Sequence, residues 1–414
     1  MTPSPVAALI GGGMAGVHAA EALRRDGFGG RILLFSAEQH LPYDRPPLSK
    51  ALLRGELTRE DCLLRPPEWY EDQGIEVSLG VSVDALDPDR CTLQLNTGEH
   101  VEFDRALLAT GARPRWPLGL RPGRGPVFAL RTVDDALAIR SRLRSGASVV
   151  VVGGGFVGAE LASSAASLGC RVTMLEAAAA PFQRVLGKTV GELFGTFYAT
   201  GGIRLITGVQ VTGTSVGPEG ARLTVADGRF WDADVVVVGV GAVPNTELAV
   251  AAGLRVSDGV EVDAYCRTSA PHVFAAGDVA NRPDPVLGGR VRVEHWQNAQ
   301  HQGTAAGRAM LGRREPFDEV PWFWSDQFGL NLQVAGFPER SDRVVVRGRL
   351  DGDRFAAFYL AGSTLVAALG VGCAGEVHLS RRLIASRAHV DAQRLTDEHT
   401  DLRDALLASD VPTA

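Results

Sequence analysis

The chain has 414 residues, 45% apolar and 22% charged, with a formal net charge of −6. That length exceeds what one hydrophobic core organises, because single cores stop growing at roughly 250–300 residues, so two or three domains are expected. The acidic balance excludes bulk attraction to nucleic acid, and any basic contact must be local.

The longest apolar stretch, Ala147 to Gly158, is interrupted by glycines and falls short of the ~18–20 residues of a membrane span. No transmembrane helix is predicted. The first basic residue is Arg24, so the start lacks the basic segment of a secretory signal, and a cytoplasmic location is expected. Cys62, Cys91, Cys170, Cys266 and Cys373 show no CxxC or CxxxxC spacing. Neither a zinc site nor a redox dithiol can be written from them, and they read as packing or surface thiols. Lys50 and Lys188 are the only lysines.

In chain order, Val6 to Ile10 reads as an apolar strand, followed by Gly11-Gly12-Gly13-Met14-Ala15-Gly16, a helix carrying Ala19, Ala20, Ala22 and Leu23, and a second strand, Arg31 to Phe35. The turn fits GxGxxG, in which glycines admit a pyrophosphate to a helix N-terminus and its unpaired N–H groups. An acidic residue should follow about 20 residues on to bind a ribose hydroxyl. Glu38 lies near that place, although Ser36 and Ala37 occupy the strand end itself.

The segment "PYDRPPLSK", Pro42 to Lys50, reads as a stiff basic loop without regular structure. The strand, turn, helix and strand unit then repeats: Ser148 to Val152, Gly153-Gly154-Gly155-Phe156-Val157-Gly158, Ala159 to Leu168, and Arg171 to Leu175 ending at Glu176. Two fingerprints imply two dinucleotides, or one flavin and one nicotinamide dinucleotide. A carboxylate at the end of the second strand accepts hydrogen bonds from a free 2′-hydroxyl and repels a 2′-phosphate, so Glu176 predicts a preference for NADH over NADPH. Three further strand ends follow the same pattern: Leu107 to Gly111, Val235 to Asn245, and Val273 to Asp278.

With these segments, and with PPLSK, LRTVDDA, GGGFVGAELA, AAGDVA and PWFWSDQ, the chain from Val6 to about Arg403 resembles the oxygenase-coupled, NADH-dependent ferredoxin reductases of the putidaredoxin reductase type. These sit within the FAD-dependent pyridine nucleotide-disulfide oxidoreductase superfamily. The resemblance implies an α/β fold of two Rossmann-like dinucleotide-binding domains, for FAD and NAD and glutathione-reductase-like, plus a C-terminal α+β domain. Residues 1–113 with 245–318 would form the discontinuous FAD domain, 114–244 the NAD domain and 319–414 the C-terminal domain. Arg115 to Pro126, rich in proline and glycine, suits the first crossing. Val344 to Val346, Ala356 to Leu360 and Leu365 to Ala368 read as strands of the last domain, and Leu395 to Leu407 as an amphipathic helix.

Disulfide reductases of this fold carry a redox cysteine pair after the second strand, where this chain has Pro46, Pro47, Leu48, Ser49 and Lys50. Electrons must therefore leave the flavin by another route. By resemblance Lys50 reaches the reactive flavin edge and pairs with Glu160, the two acting in positioning rather than in acid–base chemistry. A retained lysine in an arginine-rich chain fits a need for a compact ammonium.

The resemblance further assigns FAD to Gly11, Gly13, Ala15, Gly16, Glu38, Arg45, Lys50, Val83, Ala109, Thr110, Gly111, Arg131, Gly277, Asp278, His295 and Trp296. Among these, Asp278 would bind the ribityl chain, Arg131 the pyrophosphate and the Val83 backbone the adenine. The helix beginning at Trp296 and running to Leu311 would offer its N-terminus to charge on the reduced flavin. NAD falls to Gly153, Gly155, Phe156, Val157, Gly158, Glu160, Glu176, Arg184, Gly241 and Glu294.

Trp324 would lie at the electron exit. Arg308, Arg313, Arg314, Arg340, Arg381, Arg382 and Arg387 could offer a local basic face to an acidic [2Fe–2S] ferredoxin that serves an oxygenase. A monomer or weak dimer is expected. The alternatives are an oxidase, peroxidase or quinone reductase, which a cysteine near residue 45 would have favoured, and a redox-responsive interaction protein of the apoptosis-inducing-factor type.

Overall fold

The computed structural model describes residues 4–117, 119–120, 125–217, 220–284, 286, 288–350, 352 and 354–407. Part of the expected crossing between Arg115 and Pro126 lies outside these residues. The chain forms two compact units. The first comprises Met1–Asp44, Glu60–Arg113 and Val243–Pro321, and the second comprises Arg45–Arg59, Pro114–Ala242 and Trp322–Ala414.

The first unit is built on a parallel sheet whose strands run in the spatial order Val273–Ala275, Arg105–Leu108, Val6–Ile10, Arg31–Ser36, Ile75–Leu79. Strands covered on both faces need apolar side chains at every position, which is why VAALI and RILLFS do not alternate with polar residues. The pleat still sorts them. Ala7, Leu9, Ile32 and Leu34 share a core with the helices Met14–Arg25 and Trp296–Met310, whereas Ala8, Ile10, Leu33 and Phe35 pack with the antiparallel strands Val83–Asp87, Thr92–Leu95 and His100–Glu102.

The second unit repeats the arrangement with the order Arg204–Ile206, Arg171–Leu175, Ser148–Val152, Val235–Val238, Val127–Ala129. It also holds a five-stranded antiparallel sheet, Trp322–Gln327, Leu330–Gly336, Thr364–Val371, Phe355–Ala361, Arg343–Gly348, packed by the helix Ala374–Ala385. The fold class read from sequence is thus present, two parallel glycine-loop sheets and an α+β portion.

Two expectations are corrected. PYDRPPLSK is not featureless: Pro46–Ser49 form a 3-10 turn and Ala51–Arg54 a helical turn. Proline at the first positions of a turn costs nothing because its missing N–H would have no partner there. Leu395 to Leu407 is not one helix but Ala392–Thr396 followed by a 3-10 turn at Leu402–Ala405. The break lies where polar side chains bond local backbone and each other instead of continuing the helix. Asp397 accepts from the His399 N–H and the Thr400 hydroxyl, and Asp401 accepts from the Arg403 N–H.

Candidate functional site

In the first unit three loops leave the carboxyl ends of adjacent parallel strands, the edge at which open α/β sheets bind ligands. Gly11 has φ +126°, and a Cβ there would lie 2.1 Å from the Ala109 carbonyl oxygen; a Cβ at Gly16 would lie 2.1 Å from the Gly11 carbonyl oxygen. Both glycines are therefore obligatory for the close approach of strand, loop and helix. Gly13 differs, with nothing within 4 Å of its Cβ position. It caps the Met14–Arg25 helix without any side-chain bond, and no acidic residue occupies the first turn. An uncapped helix N-terminus beside open space is the cradle that a pyrophosphate fits.

The second loop, Ala109 to Gly111, is fixed by Asn245. The Thr110 hydroxyl donates to the Asn245 carbonyl at 2.8 Å, Asn245 Nδ2 donates to the Thr110 carbonyl at 2.8 Å, and the Asn245 N–H donates to Gly111 at 2.9 Å. In the third, Gly277–Val279 forms a 3-10 turn with Gly277 at φ +79°, and its N–H donates to Gln302 Oε1 at 2.9 Å. Asp278 sits half-buried in that turn.

Ala15 is buried beneath Gly303 of the Trp296–Met310 helix. Glu38 accepts from the Tyr43 hydroxyl, and Val83 pairs with Leu95. Trp296 Nε1 donates to Asp44 Oδ1 at 2.5 Å. His295 precedes that helix as its cap; packing around the imidazole pushes its pKa down to about 4, against the raising influence of Asp278.

The second unit reproduces this geometry. A Cβ at Gly153, φ +106°, would lie 2.4 Å from the Gly239 carbonyl oxygen, and one at Gly158 would lie 2.4 Å from the Gly153 carbonyl oxygen. Gly155 caps the Phe156–Ser167 helix without a side-chain bond. The strand registers Ile10↔Phe35 and Val152↔Leu175 make Ser36 the counterpart of Glu176. Glu176 Oε2 accepts from the Gly154 N–H at 2.6 Å and Oε1 from the Ala178 N–H at 2.7 Å. Phe156 stacks on Phe182 with ring centroids 4.6 Å apart, and Val157 is exposed at the loop. Gly241, φ +103°, and exposed Arg184 approach each other, the guanidinium lying 3.5 Å from the Gly241 Cβ position.

Also in the second unit, Lys50 Nζ meets Glu160 Oε1 at 2.9 Å, both side chains largely buried. Arg45 donates to the Arg131 carbonyl. LRTVDDA is a capping box: the Asp135 N–H donates to the Thr132 hydroxyl, and the Asp135 carboxylate accepts from the Thr132 and Arg131 N–H groups. Trp324 is half-buried and stacks on Trp322, with centroids 5.6 Å apart and planes at 30°. Glu294, expected with the NAD residues, belongs to the first unit, where it pairs with Arg292.

Sequence reasoning assigned no role to four buried or half-buried polar residues: Asn245 and Gln302 hold the strand-end loops, and Ser49 and Ser325 donate to Glu160. None of the five cysteines forms a disulfide. Burial pushes the Cys266 thiol up to about 12 and the Cys373 thiol up to about 11. Among the described residues no group of three or more His, Cys, Asp or Glu could hold a metal, and no helix is long and apolar enough to cross a membrane.

Residues 6–303 match the family model of the pyridine nucleotide-disulphide oxidoreductases, and residues 322–406 match the reductase C-terminal domain. The chain belongs to the pyridine nucleotide-disulphide oxidoreductase family. Within it, this oxidoreductase is 38% identical over 402 residues to the ferredoxin–NAD(+) reductase component of the anthranilate 1,2-dioxygenase system of Burkholderia cepacia, covering 95% of this chain and 98% of that one. It is 36% identical to putidaredoxin reductase of Pseudomonas putida, covering 97% and 96%. The crystal structure of the covalent putidaredoxin reductase–putidaredoxin complex superposes with a TM-score of 0.94 at 35% identity, covering 98% of each chain. The family is flavin-dependent, and the two uncapped, glycine-lined helix ends fit the pyrophosphates of FAD and of a nicotinamide dinucleotide.

Proposed function

We infer that the protein is an NADH-dependent flavoprotein reductase that passes electrons to a [2Fe–2S] ferredoxin supplying an oxygenase. The observation that carries this is the pairing of two pyrophosphate cradles with a PPLSK turn in which no cysteine lies, so that reducing equivalents collected from NADH have no dithiol to enter. Relatives of nearly the same length, named as reductase components of dioxygenase systems, support the acceptor.

Bound FAD would supply acceptance of a hydride's two electrons and their release one at a time, which is the conversion a one-electron iron–sulfur partner requires. The protein's own residues bind and orient. The Gly11–Gly16 loop and the Met14–Arg25 helix receive the FAD pyrophosphate, and Asp278 is presented to the ribityl chain by the turn that Gln302 holds. The Gly153–Gly158 loop receives the NADH pyrophosphate, and Glu176 takes the ribose hydroxyls. We assign the Lys50–Glu160 pair to positioning during hydride transfer and Trp324 to the exit path. The division into FAD, NAD and C-terminal domains and a cytoplasmic location are parts of the same reading; five cysteines outside any disulfide fit a reducing compartment.

The test is anaerobic stopped-flow reduction by NADH, followed by reoxidation in air or by a [2Fe–2S] ferredoxin coupled to cytochrome c. Fast reduction, slow reoxidation in air and ferredoxin-dependent turnover are expected. Rapid oxidation by air or peroxide with no effect of ferredoxin would move the protein to the oxidase class.

A further inference from the structure

Three segments of the second unit meet at one buried carboxylate. Glu160 Oε2 accepts the Ser49 hydroxyl at 2.6 Å, while Oε1 accepts the Lys50 ammonium at 2.9 Å and the Ser325 hydroxyl at 2.7 Å. Ser49 and Lys50 end the PPLSK turn, Glu160 lies on the helix behind the second glycine loop, and Ser325 belongs to the strand Trp322–Gln327, one residue from Trp324. Ser325 has no exposed surface at all.

Behind Ser325 the donors run in one direction. The Tyr198 hydroxyl donates to Gln327 Oε1 at 3.0 Å, Gln327 Nε2 donates to Ser325 Oγ at 3.4 Å, and Ser325 donates onward to Glu160. A chain of this kind polarises toward its terminal acceptor. A carboxylate free to rotate would offer Lys50 either oxygen in many orientations. Held by a hydroxyl on each oxygen in a buried place, it cannot turn without leaving a donor unpaired, which costs more than a single bond gains.

We propose that Ser325 is a positioning residue for Lys50, acting through Glu160, so that the strand carrying Trp324 sets where the Lys50 ammonium stands. The proposal rests on the reading that Lys50 serves hydride transfer, and its test separates the two.

With only two lysines in the chain, reductive methylation with 13C-formaldehyde marks Lys50 and Lys188 as two side-chain NMR signals, assigned with Lys188→Arg. In the holoenzyme without NADH, Ser325→Ala should shift the Lys50 methyl resonance and leave the exposed Lys188 where it is, and Ser325→Thr, which keeps the hydroxyl, should restore it. Ser325→Cys, nearly isosteric with a weaker donor, serves if the alanine variant folds poorly. In stopped flow, Ser325→Ala should slow flavin reduction at saturating NADH on the order of tenfold, as expected for a displaced positioning group. In a Lys50→Met background the same substitution should add no further slowing. An unmoved Lys50 resonance, or slowing that persists in full without Lys50, overturns the role of Ser325. A Lys50→Met enzyme reduced at the wild-type rate overturns the reading of Lys50 on which it rests.

Discussion

Two roles are assigned to the one carboxylate of Glu176, holding its loop and binding the ribose. Its oxygens already accept the Gly154 and Ala178 N–H groups, yet an ionised carboxylate offers about four acceptor positions, which leaves two for ribose hydroxyls. On that assignment, removing it would take away recognition and loosen the glycine loop together. Glu176→Ala should raise KM for NADH by about tenfold or more, as hydrogen bonds to a charged group are worth roughly 1.5–3 kcal/mol. It should lower kcat less, and it should narrow the ratio of kcat/KM for NADH over NADPH. A wild-type enzyme that used both cofactors equally would remove the specificity assigned to Glu176. His295 makes a different prediction, through protons. Its pKa falls from 6.5 to about 4 in the fold, so the unfolded chain takes up the proton first. Stability is then full above about pH 6.5 and declines as the pH drops toward 4, by on the order of 3 kcal/mol for this one group. Urea midpoints at pH 7 and pH 4.5, compared with those of His295→Gln, measure it; an equal decline in the variant would assign the effect to other groups.

The crossing of the helices Met14–Arg25 and Trp296–Met310 is set by Gly303 and Gly307 against Ala15, Ala19 and Ala22. A Cβ at Gly303 would stand 2.3 Å from the Ala15 carbonyl oxygen, and one at Gly307 would stand 2.6 Å from that of Ala19. Backbone cannot yield as a side chain does, so Gly303→Ala should cost about 1–3 kcal/mol and push the helices apart at the end that bears the first glycine loop. Lower thermal stability together with weaker FAD retention is expected. Gly375→Ala, on a helix where the Cβ meets nothing within 4 Å, should stabilise by up to about 1 kcal/mol; matching losses in both variants would refute the crossing argument. The sequence disclosed the elements here better than their contacts. Val6–Ile10, Ser148–Val152 and Arg171–Leu175 were legible to the residue because doubly covered parallel strands are mostly apolar, with polar residues such as Ser148 and Arg171 at their starts. The glycine loops were legible because only glycine tolerates φ near +100° against a carbonyl. Leu395 to Leu407 misled because apolar spacing says nothing of Asp397 and Asp401 bonding locally. Ser325 and Asn245 were silent because a lone hydroxyl or amide in an apolar strand end has no period, and its partner lies far along the chain.

At the scale of the whole molecule, the expectation of an acidic ferredoxin makes charge the quantity that governs encounter. A formal net charge of −6 repels an acidic ferredoxin at long range, so productive encounter depends on local arginines. Not every arginine in the expected face qualifies. Arg308 and Arg313 both pair with Asp26, and Arg308 also with Glu315. In the second unit Arg382 and Arg387 are exposed, with Arg382 3.3 Å from His378 Nε2, and Arg381 lies 5.9 Å over the ring of Trp322, which itself stacks on Trp324. The docking charge expected of that face is tested on the Ala374–Ala385 helix and its end, next to Trp322 and Trp324. Screening shortens from about 10 Å at 0.1 M salt to about 3 Å at 1 M, so KM for ferredoxin should rise several-fold across that range while the rate of flavin reduction by NADH stays nearly level. Arg382→Glu should reproduce the rise at low salt and flatten the salt dependence, because it removes a steering charge without touching the nucleotide loops. A KM that does not respond to salt would place recognition in apolar contact around Trp322 and Trp324, and an Arg382→Glu enzyme with an unchanged salt slope would move the charged surface away from this helix.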